Sequence, residues 1–287
     1  MSALPAGERG TIALLHVMRD RLAGREDNPY FDRFPLDPGV TRRYLIATTG
    51  RSGSTLLCSR IAEYGALGFP NEFLNEVYIS QFERLFPTPS HRDFERFVLH
   101  HFSSPGGVFG LKVDWWRFDL ARRVELLRSL YEPLDLVIWL RRDDFVAQAV
   151  SLTLAVATGI WHDRDVGLDG SDLTLEERQR AAPYDAAAIE THARNTLTQE
   201  YAWARFFESC GAPVLDLSYE TVAADPDAAV AAIGDALRLD MPRRSTPPRM
   251  KKIGSGVGEE WRARFAAEHA DFISFWTEHR GEMTASA

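Results

Sequence analysis

The segment Tyr44–Leu57, which reads YLIATTGRSGSTLL, constrains the fold more than any other part of this chain. It begins as an apolar run typical of a buried strand, continues through a turn of small residues, and ends in a helical pattern. Backbone N–H groups at such a helix start lack intrahelical partners and can bind an anion. Gly53 lets the backbone approach closely, and the turn adds donors suited to phosphate or sulfate oxygens, from Arg51, Ser52, Ser54 and Thr55.

Three other interpretations of this loop stay open from the residues alone. The P-loop pattern GxxxxGK[ST] would indicate a kinase or ATPase, but this loop is shorter and lacks the lysine. The hydrolase pattern GxSxG would make Ser52 or Ser54 a nucleophile, but Ser54 stands where its last glycine should be. A plain strand-to-helix turn without function is the third.

Composition limits the class of protein. The 287 residues are 45% hydrophobic and 26% charged, as in ordinary globular proteins. A net charge of −8 argues against a nucleic-acid binder. We find neither a signal peptide nor an apolar run of the roughly 20 residues that span a bilayer. The two cysteines fit a reducing compartment, so we expect a cytoplasmic protein.

Strands and helices alternate from Tyr44 onward, which predicts an α/β fold: a central parallel sheet flanked by helices in three layers. Residues 1–42 form an N-terminal extension, with a helix followed by a Pro-rich connector, and residues 162–185 a loop or lid. We predict strands near 44–49, 108–113, 134–140 and 213–218. We predict helices near 54–65, 90–102, 119–131, 143–158, 186–210, 226–237 and 258–280.

Ligands of such sheets bind at the carboxyl ends of the strands, and several polar residues would meet there. Lys112 and Asp114 share one side of the second strand. Arg142 and Ser151 lie at the start of a later helix and two to three turns along it, and Tyr219 follows the last strand. The chain contains only three lysines, and the other two, Lys251 and Lys252, belong to a basic loop with Gly254.

This set resembles the PAPS-dependent sulfotransferases, where PAPS is 3′-phosphoadenosine 5′-phosphosulfate. RSGSTLL, the following PNEF and the R-x-D-x-x-x-QAVS segment are similar to the Stf0-type branch, whose known member sulfates trehalose. The resemblance covers about residues 43–262 and implies a P-loop-like sulfotransferase domain over 43–287. It also implies PAPS as co-substrate, no metal, and a possible homodimer.

The resemblance assigns roles to matching positions. Residues 51–55 hold the 5′-phosphosulfate, and Arg142 and Ser151 hold the 3′-phosphate. Tyr219 approaches the adenine, and Lys251, Lys252 and Gly254 close over the 3′-phosphate. Because sulfuryl transfer is physically close to phosphoryl transfer, we also expect in-line transfer, with Lys112 against the bridging or sulfuryl oxygens and the loop that contains Arg51 stabilising the leaving phosphate. Either Glu72, which matches the base of the Stf0 branch and which we favour, or Asp114 is the general base.

Two positions depart from the trehalose enzyme, which has a glutamine before the loop arginine and a glutamate before the PxEF proline. Gly50 and Phe69 stand there instead. We therefore expect an acceptor that is less polar than trehalose: a carbohydrate derivative, glycolipid or polyketide-like metabolite. Its pocket would be lined by Gly50, Phe69, Phe73, Trp115, Trp116 and Trp161. A nucleotide kinase and a non-catalytic nucleotide-binding protein are the alternative functions.

Overall fold

A computed structural model describes residues 28–34, 39–86, 90–161, 165–166, 170–242 and 256–284 of the chain. Most of the predicted N-terminal extension and the basic loop with Lys251, Lys252 and Gly254 lie outside these ranges. The described residues form two compact units. The first is drawn from Met1–Thr49, Gly53–Arg141 and Cys210–Met250, and the second from Gly50–Ser52, Arg142–Ser209 and Lys251–Ala287.

The first unit contains a parallel sheet whose strands are β1 (Arg42–Thr48), β2 (Val108–Asp114), β3 (Leu136–Arg141) and β4 (Val214–Ser218). Their order is β2-β1-β3-β4, and every neighbouring pair is parallel. The chain leaves β1 first toward β2 and later returns to the opposite side as β3. The loop after β1 therefore lies where the strand order reverses, which is the usual ligand position in such sheets.

Helices flank this sheet, as predicted. They are α1 (Ser54–Tyr64), α2 (Glu76–Leu85), α3 (His91–Phe102), α4 (Trp115–Arg123), α8 (Tyr219–Ala224) and α9 (Pro226–Ala236), with 3₁₀ turns at Pro29–Arg33 and Arg128–Leu130. One face of the sheet buries Tyr44, Ile46 and Ile138 against apolar side chains of α1 and α9. Burying each such side chain contributes about 1.5–3 kcal/mol, which fixes α1 against the strand that precedes it.

The second unit is helical. It contains α5 (Phe145–Thr158), α6 (Leu175–Ala181), α7 (Ala186–Phe207), α10 (Gly256–Glu268) and α11 (Ala270–Thr284). Its core joins apolar residues of α5, α7 and α10, among them Ala149, Leu197 and Trp261. No helix in the described part of the chain is long and apolar enough to cross a membrane.

Several predicted helices differ from the structure. The helix predicted over 119–131 begins earlier, at Trp115, because Asp114 caps its first turn, and it ends at Arg123. The helix predicted over 258–280 is two helices, which meet at His269. Helices α2, α6 and α8 were not predicted; each begins after an Asn, Thr or Ser whose side chain accepts from the first turn.

Candidate active site

The loop between β1 and α1 contains two residues in left-handed backbone, Arg51 at φ 65° and Gly53 at φ 85°. Left-handed backbone costs a residue with a Cβ about 1–2 kcal/mol, so the surroundings of Arg51 must hold it there. Gly53 is the N-cap of α1, and no side chain caps that helix. Helices α2 to α9 all begin with a side-chain cap. The start of α1 thus has the form that an anion-binding helix start requires.

Tyr219 lies directly against this loop. A Cβ built on Gly53 would come within 2.3 Å of Cδ2 of the Tyr219 ring. Tyr219 is the first residue of α8 and is half-buried. Glycine at position 53 therefore serves two purposes, since it permits the left-handed backbone and leaves room for the ring. The residue predicted to approach the adenine is adjacent to the predicted phosphosulfate loop.

Helix α5 holds the preceding part of the loop through two side chains. Gln148 Nε2 donates a hydrogen bond to the Gly50 carbonyl at 2.7 Å, and Arg51 Nε donates to Ser151 Oγ at 3.0 Å. Arg51 Nη1 also donates to the Trp161 carbonyl at 2.6 Å. Gln148 is fully buried. The sequence identified the QAVS motif, but the role of its glutamine was missed.

Glu72 and Lys112 form an ion pair, with 2.8 Å between Oε1 and Nζ. The backbone brings them together, because Asn71 bridges to β2 beside Leu111 and accepts a hydrogen bond from the Lys112 amide at 3.1 Å. Asn75 Nδ2 donates to the other carboxylate oxygen of Glu72 at 2.9 Å. The Lys112 side chain is buried, whereas that of Glu72 is 39% exposed.

The electrostatics keep this pair charged at neutral pH. Burial alone would raise the pKa of Glu72, but the ammonium of Lys112 and the Lys112 and Asn75 hydrogen bonds lower it below its usual value. Burial alone would lower the pKa of Lys112, but the Glu72 carboxylate raises it. Glu72 is therefore an ionised carboxylate able to accept a proton. Burial also raises the pKa of the nearby Cys58 thiol, to about 11.

Asp114, the second predicted base, is occupied by a structural role. Its Oδ1 accepts the Arg117 amide at 3.2 Å and so caps α4, and its Oδ2 pairs with the Arg117 guanidinium at 2.6 Å. Arg117 also binds Glu76 at 2.8 Å. Both carboxylate oxygens of Asp114 thus hold the start of its own helix. The carboxylate oxygens of Glu72 are also bonded, to Lys112 and Asn75 rather than to a helix start, and Glu72 remains the predicted base.

The residues predicted to line the acceptor pocket differ in exposure. Phe69 and Trp161 are 39% and 43% exposed, Gly50 is exposed, and Trp115 and Trp116 are half-buried. Phe73 is only 2% exposed and packs against the rings of Phe102 and Phe109. This packing argues against the predicted acceptor contact of Phe73, which instead anchors the PNEF segment in the core.

The segment that carries Arg142 is fixed by residues that the sequence analysis did not identify. Arg280 of α11 donates to the carbonyls of Arg142 and Asp143 at 2.6 and 2.8 Å. Glu200 of α7 binds the same guanidinium through both carboxylate oxygens at 2.8 Å. Arg142 is half-buried, and Ser54 and Ser52 are buried, whereas Thr55 is partly exposed. Among the described residues, no cluster of three or more His, Cys, Asp or Glu could hold a metal ion.

Comparison with known proteins identifies the family of this chain. The chain is 26% identical over 266 residues to the trehalose 2-sulfotransferase of Mycobacterium tuberculosis, covering 80% of this chain and 96% of the relative. It is 25% identical over 262 residues to the enzyme of the same name from Mycolicibacterium smegmatis, covering 77% and 93%. The family model described as Stf0 sulphotransferase matches residues 43–268. The chain therefore belongs to the Stf0 sulphotransferase family and is an O-sulfotransferase.

Proposed function

We propose that this enzyme transfers the sulfuryl group of PAPS to a hydroxyl of a carbohydrate-containing small molecule, with Glu72 as general base. The observation that carries the proposal is the Glu72–Lys112 ion pair, which the backbone bridge at Asn71 holds at the carboxyl end of β2. It joins a proton acceptor to a compact positive charge, and sulfuryl transfer to a hydroxyl requires both. Family membership favours this chemistry over the kinase and non-catalytic alternatives.

The two members of the pair would act in concert. The acceptor oxygen forms a bond to sulfur, the bond from sulfur to the 5′-phosphate oxygen breaks, and the hydroxyl proton goes to Glu72. As Glu72 takes the proton, the negative charge beside Lys112 disappears. The full field of the ammonium then acts on the negative charge that develops on the transferred group and the leaving phosphate.

We propose the same donor contacts that the family resemblance implies. The 5′-phosphosulfate binds the loop of residues 51–55 at the start of α1, and Tyr219 contacts the adenine. Arg142 and Ser151 bind the 3′-phosphate. Ser151 accepts a hydrogen bond from Arg51 at 3.0 Å. Under this proposal the 3′-phosphate and the loop arginine would therefore share one hydroxyl. Lys251, Lys252 and Gly254 remain proposed contacts of the 3′-phosphate.

Donor binding tests this proposal directly. We expect PAP, the desulfated product, to raise the melting temperature of the enzyme more than AMP or ATP does, because only PAP carries a 3′-phosphate. Arg142→Ala should abolish that preference while leaving the response to AMP unchanged. An equal response to all three nucleotides, or a preference for ATP, would contradict the assignment of the 3′-phosphate site.

The acceptor is proposed to be a sugar derivative that is less polar than trehalose. The names of the two relatives support a sugar hydroxyl. The exposed Phe69 offers apolar surface where the resemblance expects a glutamate, and Gly50 lacks the polar side chain of the expected glutamine. A glycolipid or an aryl glycoside would bury its apolar portion against Phe69, which strengthens binding by about 25 cal/mol for each Å² removed from water.

A competition between sugars tests the acceptor class. We expect an octyl or aryl glucoside to be sulfated with a higher kcat/KM than trehalose. The variant Gly50→Gln/Phe69→Glu should shift this preference toward trehalose. A side chain at position 50 is sterically feasible, since its Cβ would lie 3.6 Å from the Leu152 side chain. Efficient turnover of trehalose by the unmodified enzyme would refute the less polar acceptor.

A metal-independent reaction, a homodimer and a cytoplasmic location complete the proposal. Full activity after dialysis against EDTA would support the first, and sedimentation of the purified enzyme at twice the mass of one chain the second. Loss of activity in EDTA that added Mg²⁺ restores would overturn metal independence.

A further inference from the structure

Arg280, near the end of the last helix, is a buried arginine held by a buried glutamate. Arg280 is 9% exposed and Glu200 is fully buried. Nε and Nη2 of the guanidinium donate to the two carboxylate oxygens of Glu200, each at 2.8 Å. Their helices, α11 and α7, belong to the same helical unit. The pair is bidentate, which is the strongest geometry for an arginine and a carboxylate.

The same guanidinium has a second set of contacts, which lie on the main chain. Nη2 donates to the Arg142 carbonyl at 2.6 Å and Nη1 to the Asp143 carbonyl at 2.8 Å. These carbonyls precede the first turn of α5, whose N-cap is Asp144. Asp144 is fixed in turn, since it accepts from the Ala147 amide at 2.8 Å and pairs with Arg262 at 2.6 Å.

A buried ion pair of this kind needs an explanation other than stability. Removing two charges from water costs several kcal/mol per ion, and apolar replacements are often as stable. An apolar pair, however, could not donate hydrogen bonds to the successive carbonyls of Arg142 and Asp143. A lysine could not replace the arginine either, since its single ammonium lacks the planar fork that reaches a carboxylate and two carbonyls together.

We propose that Arg280, oriented by Glu200, is a positioning residue for recognition of the 3′-phosphate. It fixes the main chain at Arg142 and Asp143, and thereby the direction in which the Arg142 side chain leaves the backbone. The proposal rests on the proposed function, in which Arg142 binds the 3′-phosphate. Arg280 itself does not touch the nucleotide in this account, because its donors bind Glu200 and the two carbonyls.

The experiment measures the dissociation constants of PAP and AMP by calorimetry, and compares their ratio among variants. The ratio reports the 3′-phosphate alone, because the two nucleotides differ in no other group. Arg280→Lys keeps the charge but loses the fork. Arg280→Met/Glu200→Met removes both charges and leaves no buried ion without its partner; its melting temperature establishes that the variant is folded. Arg264→Lys is the matched control, since Arg264 makes an exposed pair with Glu268 at 2.8 Å.

We expect the preference for PAP over AMP to fall roughly tenfold in Arg280→Lys and in the double variant, with unchanged affinity for AMP. A tenfold fall equals about 1.4 kcal/mol, the size of one hydrogen bond to a charged group. Arg264→Lys should keep the full preference.

Three results would overturn the inference. The preference could survive in both Arg280 variants while Arg142→Ala loses it, which would leave the proposed function intact. The affinities for PAP and AMP could fall together, which would indicate a general structural role. Finally, the unmodified enzyme could bind AMP as tightly as PAP, or Arg142→Ala could keep the preference; either would refute the proposed 3′-phosphate site and this inference with it.

Discussion

Replacing Gly53 with alanine should damage the enzyme in two separable ways. Gly53 has a φ of 85°, a conformation that costs an alanine about 1–2 kcal/mol. The new Cβ would also lie 2.3 Å from Cδ2 of Tyr219, so the ring must withdraw to at least 3.4 Å. Overpacking of this kind costs a further ~1–3 kcal/mol. We expect Gly53→Ala to reduce the free energy of unfolding by roughly 2–5 kcal/mol in total.

The two contributions can be separated by a double-mutant cycle with Tyr219→Ala. Removing the ring abolishes the steric conflict but leaves the backbone strain, so Gly53→Ala should cost only about 1–2 kcal/mol in that background. Gly65→Ala is the matched control. Gly65 has a φ of 73°, and a Cβ there would meet nothing within 4 Å. Its substitution should cost about 1–2 kcal/mol whether or not the Tyr219 ring is present.

Urea unfolding of the six proteins, followed by fluorescence and circular dichroism, gives the free energies. Binding of PAP should weaken in Gly53→Ala and not in Gly65→Ala, because only the former displaces Tyr219. An equal cost of Gly53→Ala with and without the ring would mean that Tyr219 does not lie against the loop. A cost near zero in both backgrounds would refute the left-handed backbone at Gly53.

Three further predictions concern the proposed catalytic residues and the loop. Steady-state kinetics should show that Glu72→Gln lowers kcat by about 10²–10⁴-fold. Asp114→Asn keeps the helix cap and loses only the ion pair with Arg117, so urea unfolding should show a loss of stability of roughly 0.2–1 kcal/mol, with little effect on kcat. The pKa of Glu72 is lowered in the folded enzyme, so its contribution to stability is present above the ordinary glutamate pKa of 4.5. That contribution is lost as the pH falls through the lowered pKa. Urea unfolding between pH 3 and 7 should show this loss in the native enzyme and not in Glu72→Gln. Gln148→Glu should weaken PAP binding near pH 7, because a carboxylate would face the Gly50 carbonyl. Binding should improve toward pH 5, where the introduced side chain is protonated and can donate a hydrogen bond to that carbonyl. A pH-independent defect like that of Gln148→Met would contradict this account.

The sequence was sufficient to predict the elements that local pattern determines. The four parallel strands follow from short apolar runs such as that ending at Leu140, and helix α1 follows from the loop before it. Glu72 was placed in the same site as Lys112 only through resemblance to a family, and their ion pair was not predicted. The reason for it is a single bridge between Asn71 and Leu111, which no local pattern indicates.

Most of the site contacts that the sequence did not predict join residues far apart in the chain. Gln148 binds a carbonyl 98 residues away, and Arg280 binds carbonyls 137 and 138 residues away. A buried glutamine and a surface glutamine look alike in a sequence, and an arginine on the last helix is usually solvated. The break between α10 and α11 at His269 was missed because neither glycine nor proline marks it.

The spacing within the QAVS motif nevertheless has a physical explanation in the structure. Gln148 and Ser151 are three residues apart, so they share one face of α5, and they bind the adjacent loop residues Gly50 and Arg51. The two residues between them, Ala149 and Val150, are buried in the helical core. One turn of helix thus packs into the core and also holds a loop arginine in left-handed backbone. A loop fixed in this way loses little conformational entropy when a ligand binds, so a short motif far along the chain would support the proposed anion site.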